Sequence, residues 1–158
     1  FQMVSHGLIS GALFLAIGVI YERTHTRDIN KLGDFATTMP KYSVFLMFFT
    51  LGSVGLPGTS GFIGEVLVLL GSWKVSPLVA IISGSSLILG AIYMLRFYRK
   101  ISFGISKNQD KYEIHDVNLR EIIILTPLTI LIILFGIFPN IVLNFLKFPH
   151  FLILETIK

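Results

Sequence analysis

Apolar runs about 20 residues long recur along nearly the whole chain, and they limit what it can fold into. Hydrophobic residues make up 53% of the sequence and charged residues only 14%, which is far more apolar than an ordinary soluble domain. A helix of about 20 residues crosses the roughly 30 Å hydrocarbon core of a bilayer. Because the runs are continuous and do not alternate with polar residues, they predict spanning helices and not barrel strands. The sequence therefore predicts an all-α integral membrane protein.

The second of four predicted spans is too long for one straight helix. The spans cover approximately residues 1–21, 41–73, 76–97 and 119–138. At about 1.5 Å per residue, the second run is more helix than one membrane crossing needs. Gly55, Pro57, Gly58 and Gly61 lie in its middle, and Pro57 lacks the N–H that a helix uses. We therefore expect a discontinuous helix, broken from Gly55 to Gly61.

The spans also suggest how the chain is divided. Residues 1–140 are expected to form one four-helix transmembrane unit. Residues 141–158 are expected to form a C-terminal tail, in which a short interfacial helix is compatible with the mixture of apolar and basic residues.

Most basic residues lie in two of the three connections between the spans. Ten of the 13 are in the first and third connections, namely Arg23, Arg27, Lys31, Lys41, Arg96, Arg99, Lys100, Lys107, Lys111 and Arg120. The positive-inside rule places these connections in the cytoplasm or, in a mitochondrion, in the matrix, with both termini on the opposite side. The net charge of +4 then follows from topology, and it does not indicate a nucleic-acid partner.

Glu65 is the first candidate functional residue. It is the one acidic residue of nine that falls within a predicted span, since the others lie in connections, at span ends or in the tail. An ionised carboxylate in hydrocarbon costs at least a few kcal/mol, so such residues face a protein interior or a wet cavity and commonly mark a proton or ion path. Burial favours the neutral form and a nearby cation favours the charged form. The alternative is a carboxylate tied structurally to a neighbouring helix.

His6, in the first span, is the second candidate. An imidazole titrates near neutral pH and can pass protons, although a lone histidine in a helix can also be a packing residue. The remaining histidines have no metal-site spacing, and the chain has no cysteine. No nucleotide-binding loop or catalytic triad pattern is present. The sequence thus predicts transport across a membrane, or a part in a membrane assembly, with no redox chemistry of its own.

Three long stretches carry a family resemblance: SHGLISGALFLAIGVIYERTHTRDI, MPKYSVFLMFFTLGSVGLPGTSGFIGEVLVLLGSW and DVNLREIIILTPLTILIILFGIFP. With them the chain resembles the C-terminal part of the subunit 4 family, called subunit M in bacteria, of proton-pumping NADH:ubiquinone oxidoreductase (complex I). The YERTHTR stretch (Tyr21 to Arg27) and the glutamate at Glu65 distinguish this family from its antiporter-like sisters, which usually carry lysine at the latter position.

The resemblance implies both a fold and roles for the two candidates. The four helices would be the last four of a fourteen-helix antiporter-like fold, with the second one discontinuous. Glu65 would be the terminal proton-carrying residue of a half-channel towards the outer side, and His6 would lie on a central hydrophilic axis. The family's lysines and its other glutamate belong to earlier helices, which this chain does not include, so only the exit half of a proton route is expected here.

The same resemblance implies partners and a location. Expected partners are the other membrane-arm subunits of complex I, lipids, and an N-terminal part of the same subunit, either a separate polypeptide or sequence outside this chain. We expect no cofactor on this chain; NADH, FMN, iron–sulfur clusters and ubiquinone would be bound by other subunits. The Ile-, Phe-, Lys- and Asn-rich composition favours the mitochondrial inner membrane over a bacterial plasma membrane.

Two other functions remain open at this stage. One is a subunit of the related multisubunit sodium/proton antiporters, which are transporters outside any redox enzyme. The other is a purely structural membrane subunit, for which neutralising Glu65 would leave transport unchanged.

Overall fold

The computed structural model describes residues 1–105 and 114–146, and all regular structure in them is helical. Six α-helices follow one another: α1 (Gln2–Thr24), α2 (Phe35–Thr38), α3 (Pro40–Ser53), α4 (Ser60–Val75), α5 (Pro77–Phe103) and α6 (Leu119–Ile137). A 3-10 turn, Ile29–Lys31, precedes α2, and residues 140–146 are also helical. The predicted all-α fold is confirmed.

Three helices of the described chain, α1, α5 and α6, are long and apolar enough to cross a membrane. The second predicted span is divided between α3, with 14 residues, and α4, with 16 residues. Each of these is shorter than the roughly 20 residues of one membrane crossing. The discontinuity predicted for the second span is therefore confirmed, and α3 and α4 together take the place of one spanning helix.

Glycine geometry ends α3 after Ser53. Gly55 adopts a left-handed conformation with φ of 78°, which glycine reaches without a steric penalty. The N–H of Gly55 donates to the carbonyl of Gly52 at 3.2 Å, and the N–H of Leu56 donates to the carbonyl of Leu51 at 3.0 Å. This pair of bonds is the Schellman motif, which satisfies carbonyls at a helix end. The local sequence thus stops the helix without leaving these groups unpaired.

The non-helical stretch covers residues 54–59, with Pro57 inside it. The expectation that it extends to Gly61 is wrong, because α4 already begins at Ser60. Gly61 is needed for a different reason: a Cβ there would overlap the carbonyl of Gly52. Its glycine therefore allows α4 to approach α3 closely, and its backbone conformation is ordinary.

The other predicted boundaries differ from the structure by a few residues. Helix α1 continues through the polar end of its span to Thr24, and α5 continues past the predicted end of the third span to Phe103. In the predicted tail, residues up to 146 are helical, and residues 147–158 lie outside the described part of the chain. The interfacial helix and the division at residue 140 stay predictions.

Helix α1 packs against α3, α4 and α6, while α5 packs mainly against α4 and to a lesser extent against α3 and α2. The end of the bundle that holds the first connection is called the inner end, after the positive-inside rule. The core lies between α1, α3 and α6, and its buried members on these helices include Ile9, Ala12, Ala16, Tyr42, Leu46, Phe49, Leu125 and Ile132. The first three, on α1, are spaced three or four residues apart, which places them on one helix face. This face carries no charge, so the bundle is held here by close apolar packing.

Arg23 links three helices at the inner end of the bundle. Its guanidinium forms a two-pronged ion pair with the Glu121 carboxylate at the start of α6, with both N···O distances 2.8 Å. Its remaining N–H groups donate to the carbonyls of Val19, His115 and Asp116. All five donors of the guanidinium are therefore used.

Asp116 extends this network to α3. Its carboxylate accepts hydrogen bonds from the backbone N–H groups of Lys41 and Tyr42, at 3.0 and 3.1 Å, in the first turn of α3. Nearby, Lys100 at the end of α5 donates to the side chain of Asn30. The first and third connections thus lie at the same end of the bundle, as the charge distribution predicts.

We predict that single cysteines at Arg27 and Val75 react from opposite sides of the membrane. Both positions are exposed, and they lie at opposite ends of the bundle. The chain has no native cysteine. Impermeant maleimide added to sealed vesicles of known orientation, followed by mass spectrometry of this chain, measures the side. Labelling of both positions from one side would contradict the topology.

We predict that Arg23→Lys destabilises the assembled protein by roughly 2–4 kcal/mol, because lysine keeps the charge but cannot form the fork to Glu121. The matched control is Arg27→Lys, since Arg27 is exposed and only lies over the Tyr21 ring, 5.0 Å from its centroid. We expect the control to cost about 1 kcal/mol or less. The measurement is thermal disassembly of the purified complex, and equal losses from the two substitutions would contradict the proposed link.

Candidate functional site

The Glu65 carboxylate lies against the break in the second span. Glu65 is five residues into α4, roughly one and a half turns beyond its start. Side chains on a helix tilt towards its N-terminus, so this carboxylate reaches back to the break. A Cβ placed on Gly55 would overlap it. Glycine at position 55 therefore has two consequences: it allows α3 to end, and it leaves room for the Glu65 carboxylate.

Within the described residues the Glu65 carboxylate forms no hydrogen bond or ion pair. The side chain is partly buried and its position is set by packing. This differs from the carboxylate of Glu121, which is fixed by Arg23 and by the backbone N–H of Asn118. The alternative interpretation, in which Glu65 is tied to a neighbouring helix by a polar contact, has no support in the described chain.

A cavity of about 340 Å³ adjoins Glu65. It lies between the break and α5, and its polar lining comes from Gln2, Ser53, Glu65, Ser83, Ser86 and Tyr93. The rest of the lining includes Val68, Leu69 and Leu87. Hydroxyl groups and an amide can hydrogen-bond to water, so the lining of this cavity is compatible with hydration of the Glu65 carboxylate.

Sequence reasoning missed Gln2. Its side-chain oxygen is buried without a hydrogen-bond partner in the described chain, and it packs against the α-carbon of Gly64, one residue before Glu65. The available signal was the same one used for Glu65, a polar side chain within an apolar span. The serines and the tyrosine on α5 gave no comparable signal, because such residues are common in membrane helices.

His6 does not line the Glu65 cavity. It is exposed in the described chain, and its imidazole contacts the Ser10 hydroxyl at 3.2–3.3 Å, one turn further along α1. Gln2 is one turn before His6 and does line the cavity. The structure thus places both candidates on the same half of the bundle without bringing them together, and the role of His6 stays a prediction.

Contacts from α1 and α6 hold the break of the second span and the start of α4 in place. The Ser5 hydroxyl of α1 donates to the hydroxyl of Ser60 at 2.9 Å, and both residues are buried. On the other side, Gly136 of α6 packs directly on the backbone of Gly58 and Thr59. The non-helical backbone is therefore fixed by contacts from two helices, which is the condition under which irregular backbone is tolerated at membrane depth.

Fold and site together define a class: a multi-pass α-helical membrane protein with a discontinuous helix and a carboxylate beside the break. The chain belongs to the family described as NADH:quinone oxidoreductase/Mrp antiporter, transmembrane, whose sequence model matches residues 1–93.

Curated relatives bear the subunit name that the resemblance indicated. The chain is 49% identical over 144 residues to NADH-quinone oxidoreductase subunit M of Rickettsia bellii, which covers 91% of this chain and 29% of the relative. It is 44% identical over 156 residues to NADH-ubiquinone oxidoreductase chain 4 of Chondrus crispus, which covers 99% of this chain and 32% of that one. The chain therefore spans only about a third of the length of these relatives.

A solved structure agrees with the fold. A chain of respiratory complex I from Thermus thermophilus with bound NADH matches with a TM-score of 0.78 and 34% sequence identity. The match covers 88% of this chain and 29% of that chain. The predicted resemblance is thus confirmed at the level of sequence and of fold.

We predict that Gly55→Ala and Gly58→Ala have different functional effects. Both residues have positive φ, 78° and 94°, so alanine strains the backbone at either position, by roughly 1–2 kcal/mol. Only at Gly55 would the new methyl group meet the Glu65 carboxylate, since nothing lies within 4 Å of a Cβ at Gly58. Turnover per assembled complex should therefore fall more for Gly55→Ala. Equal turnover in the two variants would show that the contact with Glu65 is unimportant.

Proposed function

We propose that the chain is part of the membrane arm of a proton-pumping NADH:quinone oxidoreductase and carries the exit half of a proton route. The observation that carries this proposal is the Glu65 carboxylate beside the helix break, facing a cavity with a polar lining. A carboxylate placed there can take up a proton and release it as its surroundings change. The names of the relatives indicate the enzyme in which such a step would operate.

A second cavity supports release towards the outer side. It has a volume of about 360 Å³ and lies at the outer ends of α4 and α5, where it is lined by Gly71, Ser72, Val75, Ser76 and Val79. The Glu65 cavity includes Leu69 on α4, two residues before this second cavity begins. The two cavities thus have lining residues close together along α4, and the second cavity lies nearer the C-terminal end of this helix.

The chain would act without a cofactor of its own. We propose that NADH, FMN, iron–sulfur clusters and ubiquinone are bound by other subunits, and that the chain contacts its neighbours in the membrane arm and the remaining part of its own subunit. We propose the mitochondrial inner membrane as its location from its composition. The subunit M relatives from Rickettsia bellii and Rhodobacter capsulatus, at 49% identity, are more similar to the chain than chain 4 of Chondrus crispus, at 44%.

The second candidate function is that of a sodium/proton antiporter subunit, because the family description includes both groups. Purification distinguishes them: the oxidoreductase should be isolated together with flavin and iron–sulfur subunits, and an antiporter should not. Mass spectrometry of the purified complex would also show whether a second polypeptide supplies the rest of the subunit.

We predict that Glu65→Gln assembles normally but lowers proton pumping by roughly tenfold or more, because the amide keeps the shape and cannot ionise. Glu65→Asp keeps the charge and shortens the reach by one methylene, so its loss should be partial. His6→Ala should have a milder effect, since water can replace an imidazole in a wet path. The measurement is NADH:quinone turnover with protons moved per electron in sealed vesicles.

Fully assembled Glu65→Gln complex with wild-type turnover and wild-type proton stoichiometry would contradict the proton-carrier role. A structural role would then replace it. The matched control is Glu22→Gln, because Glu22 is an exposed carboxylate at the end of α1 and lies away from the Glu65 cavity. Normal pumping is expected for this control.

A further inference from the structure

Three basic side chains line an open cavity at the inner end of α5. Arg96, Arg99 and Lys100 share this cavity, of about 620 Å³, with Phe103 and Ile105. The two apolar residues are 66% and 91% exposed. The cavity is thus lined by both cationic side chains and exposed apolar side chains.

The positive charge of this cluster is not balanced within the described chain. Arg96 and Arg99 form no ion pair and no hydrogen bond there, and Lys100 donates only to the neutral side chain of Asn30. Arg23 presents a contrast, because all its donors have protein partners and its charge is neutralised by Glu121. Within the described chain, the guanidiniums of Arg96 and Arg99 therefore have no anionic partner.

An apolar face leads along α5 to this cluster. Ile81, Ile88 and Ile92 are 63%, 66% and 42% exposed, and their spacing places them on one face with Arg99 and Phe103. Only 6% of the most apolar window of α5 is buried in the described chain, the lowest share among its candidate spans. This face of α5 is thus apolar along most of the helix and becomes positively charged towards its C-terminal end.

We propose that this surface, the inner end of α5, binds an anionic phospholipid. The phosphate would be bound by Arg96, Arg99 and Lys100, and the acyl chains would lie along the isoleucine face. A phospholipid fits because it joins an anionic phosphate to hydrocarbon chains, and basic pockets on the inner side of membrane proteins bind such headgroups. The positive-inside rule explains why cations are at this end, but it does not require them to share a cavity with exposed apolar side chains.

The first experiment measures the phospholipid retained by the purified complex. Arg96→Gln, Arg99→Gln and Lys100→Gln are combined in one variant, and the control combines Arg27→Gln, Lys31→Gln and Lys41→Gln. Both variants lose three charges from exposed positions at the same end of the bundle. After detergent washing, native mass spectrometry counts phosphatidylglycerol bound per complex over a series of lipid concentrations.

We expect the affinity for phosphatidylglycerol to fall on the order of 100-fold in the α5 variant, as three contacts of about fivefold each are lost, and to be unchanged in the control. Phosphatidylcholine should not bind at this site. Equal retention by the two variants would overturn the proposal. So would displacement of the lipid by excess inorganic phosphate, because the site would then recognise the free anion.

The second experiment does not depend on the assembly of a triple variant. A photoreactive benzoylphenylalanine in place of Phe103 in the otherwise wild-type chain should crosslink to lipid. Crosslinking only to polypeptide, from another subunit or from the rest of this one, would show that protein covers the surface and would overturn the proposal. Glu65→Gln complex should retain the phospholipid, so failure of the proton-carrier role and failure of the lipid site are distinguishable.

Discussion

The bidentate contact of Arg23 with Glu121 determines how the inner ends of the helices meet. Arg23 belongs to α1 and Glu121 to α6, and the carbonyls of residues 115 and 116 bind the same guanidinium. Asp116, held in this way, caps the first turn of α3. Both side chains of the ion pair are largely shielded, with 13% and 9% of their surface exposed. Removal of one partner would leave a buried charge, so the pair is expected to be costly to break.

With the inner ends fixed, the irregular part of the second span falls at the middle of the bundle. The Schellman motif at Gly55 satisfies the carbonyl groups at the end of α3, and Pro57 prevents the chain from continuing as a helix. Helix α4 then resumes with Gly61 against the carbonyl of Gly52, and Gly136 packs on the break itself, at Gly58 and Thr59. Unwound backbone at this depth needs protein around it, and here α1, α3 and α6 supply the contacts.

Local chemistry made the discontinuity predictable from the sequence, and it singles out Glu65 as a candidate functional residue. Glycine, proline and a charge within hydrocarbon each have a physical cost that limits where they occur. The Arg23 network was not predictable in the same way, because its partners lie 92 to 98 residues further along the chain. In the sequence the YERTHTR stretch carries only the family resemblance, and the fold brings Asp116 and Glu121 to its Arg23. The sequence predicts that the break extends to Gly61, whereas Gly61 lies within α4. The prediction is wrong because a glycine required for close packing cannot be distinguished in a sequence from one required for a turn.

Steric contact, and not hydrogen bonding, determines where the Glu65 carboxylate lies. It rests against Gly55, and in the described chain no donor is directed at it. A carboxylate held by an arginine, as Glu121 is, favours its charged form and gives up its proton readily but takes one up poorly. When a carboxylate is positioned only by packing, no fixed partner favours its charged or its neutral form. Small changes in nearby charge or hydration can therefore shift its protonation. Since Gly55 and Glu65 belong to the two separate halves of the second span, any displacement of one half relative to the other alters the space that the carboxylate occupies. We propose that the discontinuous helix couples the position of α4 to the protonation of Glu65, which an unbroken helix would not do.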